Sequence, residues 1–235
     1  LAARSTAPLA PDLVHAMMVG RARVLSSPGV DTLRGFVTEA DRLAVSRPAS
    51  MAAVTTLYAG ALADAKLYDY GAATKLAGKL SSLVGGDADA SRQAGLLSAE
   101  IALQSGNPAP ALALAPGAGR PELLLSSQAR LSRGADPETA QRLQTWLALH
   151  PRDAQGWQLL GREYAAQGQQ LRAIRADAEA QVAHLDYQAA MDRFRAAQDL
   201  ARHGPMTGSN YIDASIIDTR ARQVESLLRE QSLER

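Results

Sequence analysis

Trp157, Leu160, Gly161 and Tyr164 stand at relative positions 0, 3, 4 and 7, which puts all four on a single stripe of a helix with 3.6 residues per turn. Three of the four are bulky, and Gly161 lets a partner helix approach closely. Gly168 and the polar Gln169-Gln170 then interrupt the helix. It resumes from Leu171 to Leu185 with Ala173 and Ala180 at small-residue positions. A complete helical hairpin, large residues on one arm against small on the other, is therefore written into the segment after His150-Pro151-Arg152-Asp153.

The spacing Trp-x2-Leu-Gly-x2-Tyr is that of the first helix of a tetratricopeptide repeat. Leu185-Asp186-Tyr187 makes the next turn, and Ala190, Phe194 and Ala197 follow with the spacing of a second repeat helix. A last helix is expected from an N-cap at Ser209 through Ile216, Ile217, Val224, Leu227 and Leu228, with charges on its outer face. Upstream the rhythm is weaker. Met51–Lys66 pairs with Gly71–Leu83 across Tyr68-Asp69-Tyr70, Ala90–Gln104 with Ala109–Leu114 across Gly106-Asn107-Pro108, and Pro121–Ser132 with Glu138–His150 across Gly134-Ala135-Asp136-Pro137. The small residues Ala73, Ala111, Ala140 and Ala173 mark second helices at intervals of 38, 29 and 33 residues, scattered about the ~34 of this repeat class. Leu13–Leu25, with Val14, Met17, Met18, Arg21 and Val24, and Asp31–Ser46 are expected to form the opening hairpin. Leu1–Pro11 is expected to be loosely ordered. The fold class expected is therefore all-α, a right-handed tetratricopeptide-type solenoid of four to five degenerate hairpins with a C-terminal capping helix. Its organisation is a loose segment over 1–12, degenerate repeats over 13–150 and the clearest repeats plus the cap over 151–235.

Composition narrows the function. The chain has 235 residues, with Ala and Leu dominating the apolar share and aromatics only 4%, a profile suited to helices packed through small residues. Lys and Arg number 25 against 24 Asp and Glu, so no field gathers nucleic acid or anionic lipid. The absence of Cys removes disulfides, thiolate catalysis and cysteine zinc sites. No apolar run approaches the ~20 residues of a membrane span. The sequence begins at Leu1 without a basic-then-apolar leader, which is expected of a processed protein or an excised domain.

The chemistry of an enzyme is not written here. A helical zinc hydrolase site needs His-Glu-x-x-His, whereas His15, His150, His184 and His203 are scattered and none precedes a Glu. These read as surface or helix-end residues, His150 and His203 near C-termini that favour a cation. Ser82–Asp87 lacks the Lys-Ser/Thr ending of a phosphate loop and reads as a turn. Asp177, Glu179 and Asp186 read as solvated charges of amphipathic helices, and Met17-Met18 as core. No catalytic, metal-binding or cofactor-binding residue is expected. The Trp157–Tyr164 stripe is expected to be core, in which case Trp157→Ala costs ~3–5 kcal/mol.

The segment from His150 to Leu228 also carries His150-Pro151, then Leu171-Arg172-Ala173-Ile174-Arg175-Ala176 with Glu179-Ala180. Beyond these come Asp186-Tyr187-Gln188-Ala189-Ala190 with Arg193 and Arg195, and Ala214-Ser215-Ile216-Ile217-Asp218-Thr219-Arg220. In these runs the chain resembles the repeat-bearing C-terminal region of bacterial periplasmic zinc metalloproteases of the BepA type; the N-terminal half matches loosely. The resemblance implies a periplasmic, non-catalytic protein-interaction module, its protease domain lying upstream. Its implied partner is an unfolded substrate or the outer-membrane assembly machinery, by way of a protein or peptide contact. A free-standing envelope scaffold is the alternative. In a repeat solenoid first helices line the surface used for partners. Gln155, Gln158 and Arg162, which avoid the Trp-Leu-Gly-Tyr stripe, are the expected groove residues. Arg162 is the one with a planar fork suited to a carboxylate.

Overall fold

The computed structural model describes residues 12–26, 29–43, 49–117, 119–203 and 208–233. Leu1–Pro11, and the Gly204-Pro205 break before the last helix, lie outside them, as does the side chain of Ser209. Every regular element among the described residues is an α-helix. In chain order these are α1 (Leu13–Ser26), α2 (Val30–Asp41), α3 (Met51–Lys66), α4 (Tyr70–Val84), α5 (Ala88–Gln104), α6 (Ala109–Leu112), α7 (Arg120–Leu131), α8 (Pro137–Leu149), α9 (Ala154–Ala166), α10 (Gln170–Ala183), α11 (Tyr187–His203) and α12 (Gly208–Leu233). They divide between two compact units, Leu1–Leu114 and Ala115–Arg235.

The turns explain why helices start and stop where they do. After α3, α5, α9 and α10 the chain makes the same Schellman closure, with the C′ residue left-handed at Tyr68 (φ 65°), Gly106 (φ 86°), Gly168 (φ 73°) and Leu185 (φ 63°). In each the following amide donates back to the carbonyl five residues earlier, Asp69 to Asp64, Asn107 to Ala102, Gln169 to Tyr164 and Asp186 to Gln181, at 2.8–3.0 Å. Aspartates open several of the next helices. Asp69, Asp87, Asp153 and Asp186 accept from the amides of Ala72, Ala90, Gly156 and Ala189, satisfying donors that have no partner within the helix.

In the N-terminal unit a single apolar cluster surrounds α3, whose side chains from Ala53 to Ala65 are nearly all buried. The sequence reading makes α1 and α2 a hairpin. The structure corrects this: each makes its main contacts with α3. The reason is that α3 is small and apolar all round, so it accepts neighbours on several sides. A Cβ at Gly20 of α1 would sit 2.7 Å from the Thr55 carbonyl, and one at Gly60 of α3 would overlap that of Ala40, both closer than side chains come. α6 is also shorter than expected, one turn ending at Leu112.

The C-terminal unit holds two clusters. The first joins α7, α8, α9 and one face of α10 through Leu123, Leu143, Leu147, Leu160 and Tyr164. The second joins the other face of α10 to α11 and α12 through Phe194, Ile217 and Val224. α10 thus packs on both sides, as its sequence suggests. Gly161 does what its place in the stripe requires, since a Cβ there would sit 2.8 Å from Asp177 Oδ1 and 3.4 Å from the Ala173 carbonyl. Fully buried Glu163 ties the α7–α8 turn to α9, accepting from the Asp136 amide and, at 3.0 Å, from Gln167 Nε2.

Candidate functional site: the α8–α12 groove

The three residues expected to face a partner are all exposed on α9. Gln155 accepts from Arg120 Nη2 at 3.2 Å, beside the bidentate Arg120–Asp153 pair. Gln158 Nε2 lies 3.5 Å from His184 Nε2. Arg162 makes no ion pair among the described residues; its charge acts on Asp177, whose carboxyl partial burial pushes up while Arg193 and Arg162 pull it down. The three lie along one helix face and do not line the α8–α12 groove.

A hollow among the described residues of this unit is lined by the stripe itself. Trp157, assigned to the core by its spacing, is only partly buried, and its Nε1 donates to the Pro151 carbonyl at 2.9 Å. With Leu147, Leu160 and Tyr164 it lines a groove of about 550 Å³. α12 contributes Ile212 and Ile216, which are 66% and 39% exposed. The expectation of a closing helix with a charged outer face therefore fails over the first turns of α12, where Tyr211, Ile212 and Ile216 are exposed.

Long charged side chains span α10 and α12 at this groove. Arg172 Nε donates to Asp213 Oδ2 at 2.8 Å, its Nη1 to Gln169 at 2.8 Å, and its guanidinium lies 5.9 Å from the Tyr164 ring centre. Arg175 reaches only to 3.9 Å from Asp213 Oδ1. One helical stretch further on, Arg220 donates bidentately to Glu179 at 2.6 and 2.7 Å. Glu179 is thus not the solvated charge its amphipathic context suggests, but a buried partner of α12. Asp177 and Asp186 are exposed, as are all four histidines. His150 stacks on Trp146 with ring centres 3.7 Å apart.

Two readings of the sequence thus missed the groove. Nothing in the period of α9 distinguishes a Trp that faces a partner helix from one that faces a cleft. The exposed Ile212 and Ile216 carried the only signal, being apolar where a capping helix should be polar. Among the described residues no group of three His, Asp or Glu side chains is placed to hold a metal ion, and no helix is long and apolar enough to cross a membrane. No protein-family model and no curated protein matches the chain.

Proposed function

We propose that this chain is a non-catalytic protein-binding module of tetratricopeptide type, serving as the partner-reading repeat region of a periplasmic metalloprotease concerned with outer-membrane protein assembly or quality control. The observation that carries the binding role is the use of α9. Its Trp157–Tyr164 stripe sets the helix against α8 and α10, and leaves Gln155, Gln158 and Arg162 facing solvent with few internal obligations. Side chains of that kind on a rigid helix recognise polypeptide backbone and carboxylates. The assignment to the protease system rests on the sequence likeness from His150 to Leu228.

The test is capture of a urea-unfolded outer-membrane porin, diluted into a solution of the purified chain and followed by crosslinking. Wild type is expected to capture it. Arg162→Ala is expected to weaken capture several-fold while circular dichroism and melting stay unchanged. Unaltered capture by the variant removes the α9 face from consideration, and no capture by wild type removes the binding role. A gene with no His-Glu-x-x-His encoded upstream of Leu1 would sink the protease assignment alone.

A further inference from the structure

We propose that the groove lined by α8, α9, α10 and α12 receives an extended polypeptide segment with an acidic residue flanked at alternate positions by bulky apolar ones, and that Arg175 takes the carboxylate. This rests on the polypeptide-binding role above, but it uses a different surface from Gln155, Gln158 and Arg162.

Charge is the first argument. Two guanidiniums, Arg172 and Arg175, share one carboxylate, Asp213, and among the described residues no other charged side chain lines the groove. Arg172 is committed to Asp213, Gln169 and the Tyr164 ring. Arg175 is not: among the described residues the one carboxylate within 4 Å of it stands 3.9 Å away, beyond hydrogen-bond reach, while its side chain is only 18% exposed. A guanidinium largely removed from water and without a hydrogen-bonded counterion is unfavourable. An incoming carboxylate supplies the bidentate partner that its planar fork accepts. The groove therefore carries one uncompensated positive charge amid an apolar surface.

The apolar surface sets the rest of the ligand. Ile212 and Ile216 stand one helical turn apart on α12 and Trp157 contributes from α9, so apolar groups are available beside the arginine. An extended chain presents residues i−2, i and i+2 on one face. A segment of the pattern apolar-x-acid-x-apolar thus meets both parts of the groove together. The open form of the cleft fits a strand of chain passing through rather than a ligand enclosed.

The experiment titrates the whole chain with a fluorescein-labelled peptide of the pattern leucine-serine-aspartate-serine-leucine, and with its asparagine and lysine twins. Anisotropy and the fluorescence of Trp157 are both read. The aspartate peptide is expected to bind at least tenfold more tightly than the asparagine twin, the lysine twin not at all, and the preference to weaken with salt. Arg175→Gln should equalise the aspartate and asparagine peptides, Arg175→Lys should restore part of the difference, and Ile216→Glu should abolish binding of both. Arg162→Ala should leave the preference intact. Each variant is checked for unchanged helicity, and Arg175→Lys covers the case in which Arg175→Gln does not fold. Equal binding of the aspartate and asparagine peptides overturns the inference, as does a preference that survives Arg175→Gln. Sedimentation showing that two copies close the groove against each other and exclude the peptide overturns it too. If the chain captures the unfolded porin through Arg162 while the peptides do not discriminate, this inference falls and the binding role stands. If neither porin nor peptide binds, both fall.

Discussion

In the N-terminal unit the helix at the centre, α3, buries almost every side chain it has, whereas the helix at the centre of the C-terminal unit, α10, carries Arg172, Arg175 and Glu179 into its contacts with α12. The first unit brings backbones together through alanine and glycine and leaves no space at those crossings. The second bridges α10 to α12 with long ionic side chains, and a groove opens beside the bridge. Close packing of small residues leaves no room at a crossing; bridging by long charged residues lies beside an open groove. That contrast is what the following substitutions break or sharpen.

The largest effect is expected where the C-terminal unit is most densely packed. Phe194 is fully buried in its second cluster, so Phe194→Ala should cost about 3–5 kcal/mol. Trp157, at the groove, should lose less than about 2 kcal/mol on the same truncation, because part of its surface is already wet. This revises the cost expected from its spacing alone. Both tryptophans, Trp146 and Trp157, lie in this unit, so urea unfolding followed by tryptophan fluorescence, or by circular dichroism for Trp157→Ala, separates the two. Equal losses would mean that Trp157 is core after all.

The units should also respond to acid with opposite sign. Burial pushes the Asp64 carboxyl up to about 6, with Asp69 and Asp41 adding to it, and its Oδ2 has no hydrogen-bond partner. The folded chain then holds a proton that the unfolded chain, at 3.8, releases. Asp64 accordingly contributes stability that is full below about 4 and lost as pH rises through 6. Asp153 behaves in reverse: burial opposes its charge, but Arg120, the Trp146 indole and the Gly156 amide outweigh it and hold the carboxyl down to about 2. Its contribution is present above about 4 and lost as pH falls through 2. Hydrogen exchange of α3 peptides should slow from pH 7 to 5 after correction for intrinsic rates. Asp64→Asn should remove that trend and raise stability at pH 7 by on the order of 2 kcal/mol. An unchanged pH profile in the variant would show that Asp64 is not the group responsible.

Gly60 and Gly78 sharpen the packing half of the contrast. A Cβ at Gly60 would overlap that of Ala40 and press on Leu76, while nothing lies within 4 Å of one at Gly78. Gly60→Ala should cost about 1–3 kcal/mol. Gly78→Ala, within α4, should gain about 0.5–1 kcal/mol from helix propensity alone. Exchange protection in α3 and α4 reports both, and a harmless Gly60→Ala would contradict close packing as the basis of this unit.

Much of this was legible in order along the chain. Met51–Lys66 is a helix with the bounds expected from its sequence, and Gly161 marks a close crossing because nothing larger fits. Those signals are local. What stayed hidden depends on which neighbour arrives: α1 and α2 both choose α3 over each other, Glu179 finds Arg220 from 41 residues away, and Trp157 meets a cleft that α12 also lines. Periodicity names a face of a helix without naming what covers it.

The smallest expected effect concerns a turn that the two units share. Tyr68 and Leu185 occupy the left-handed C′ position that Gly106 and Gly168 occupy in the same turn elsewhere, and they are 79% and 63% exposed. A side chain in this conformation costs roughly 1–2 kcal/mol, while glycine gives some of that back through the greater freedom of the unfolded chain. Tyr68→Gly and Leu185→Gly should therefore each stabilise their unit by about 0.5–1 kcal/mol, read as slower exchange in α3 for the first and in α10 for the second. Similar gains would show that the turn is a local device, indifferent to how the helices around it are packed. A gain at Leu185 with none at Tyr68 would place a compensating interaction at the Tyr68–Tyr70 edge-to-face pair, whose ring centres lie 6.3 Å apart, and would tie that turn to the packing of the N-terminal unit.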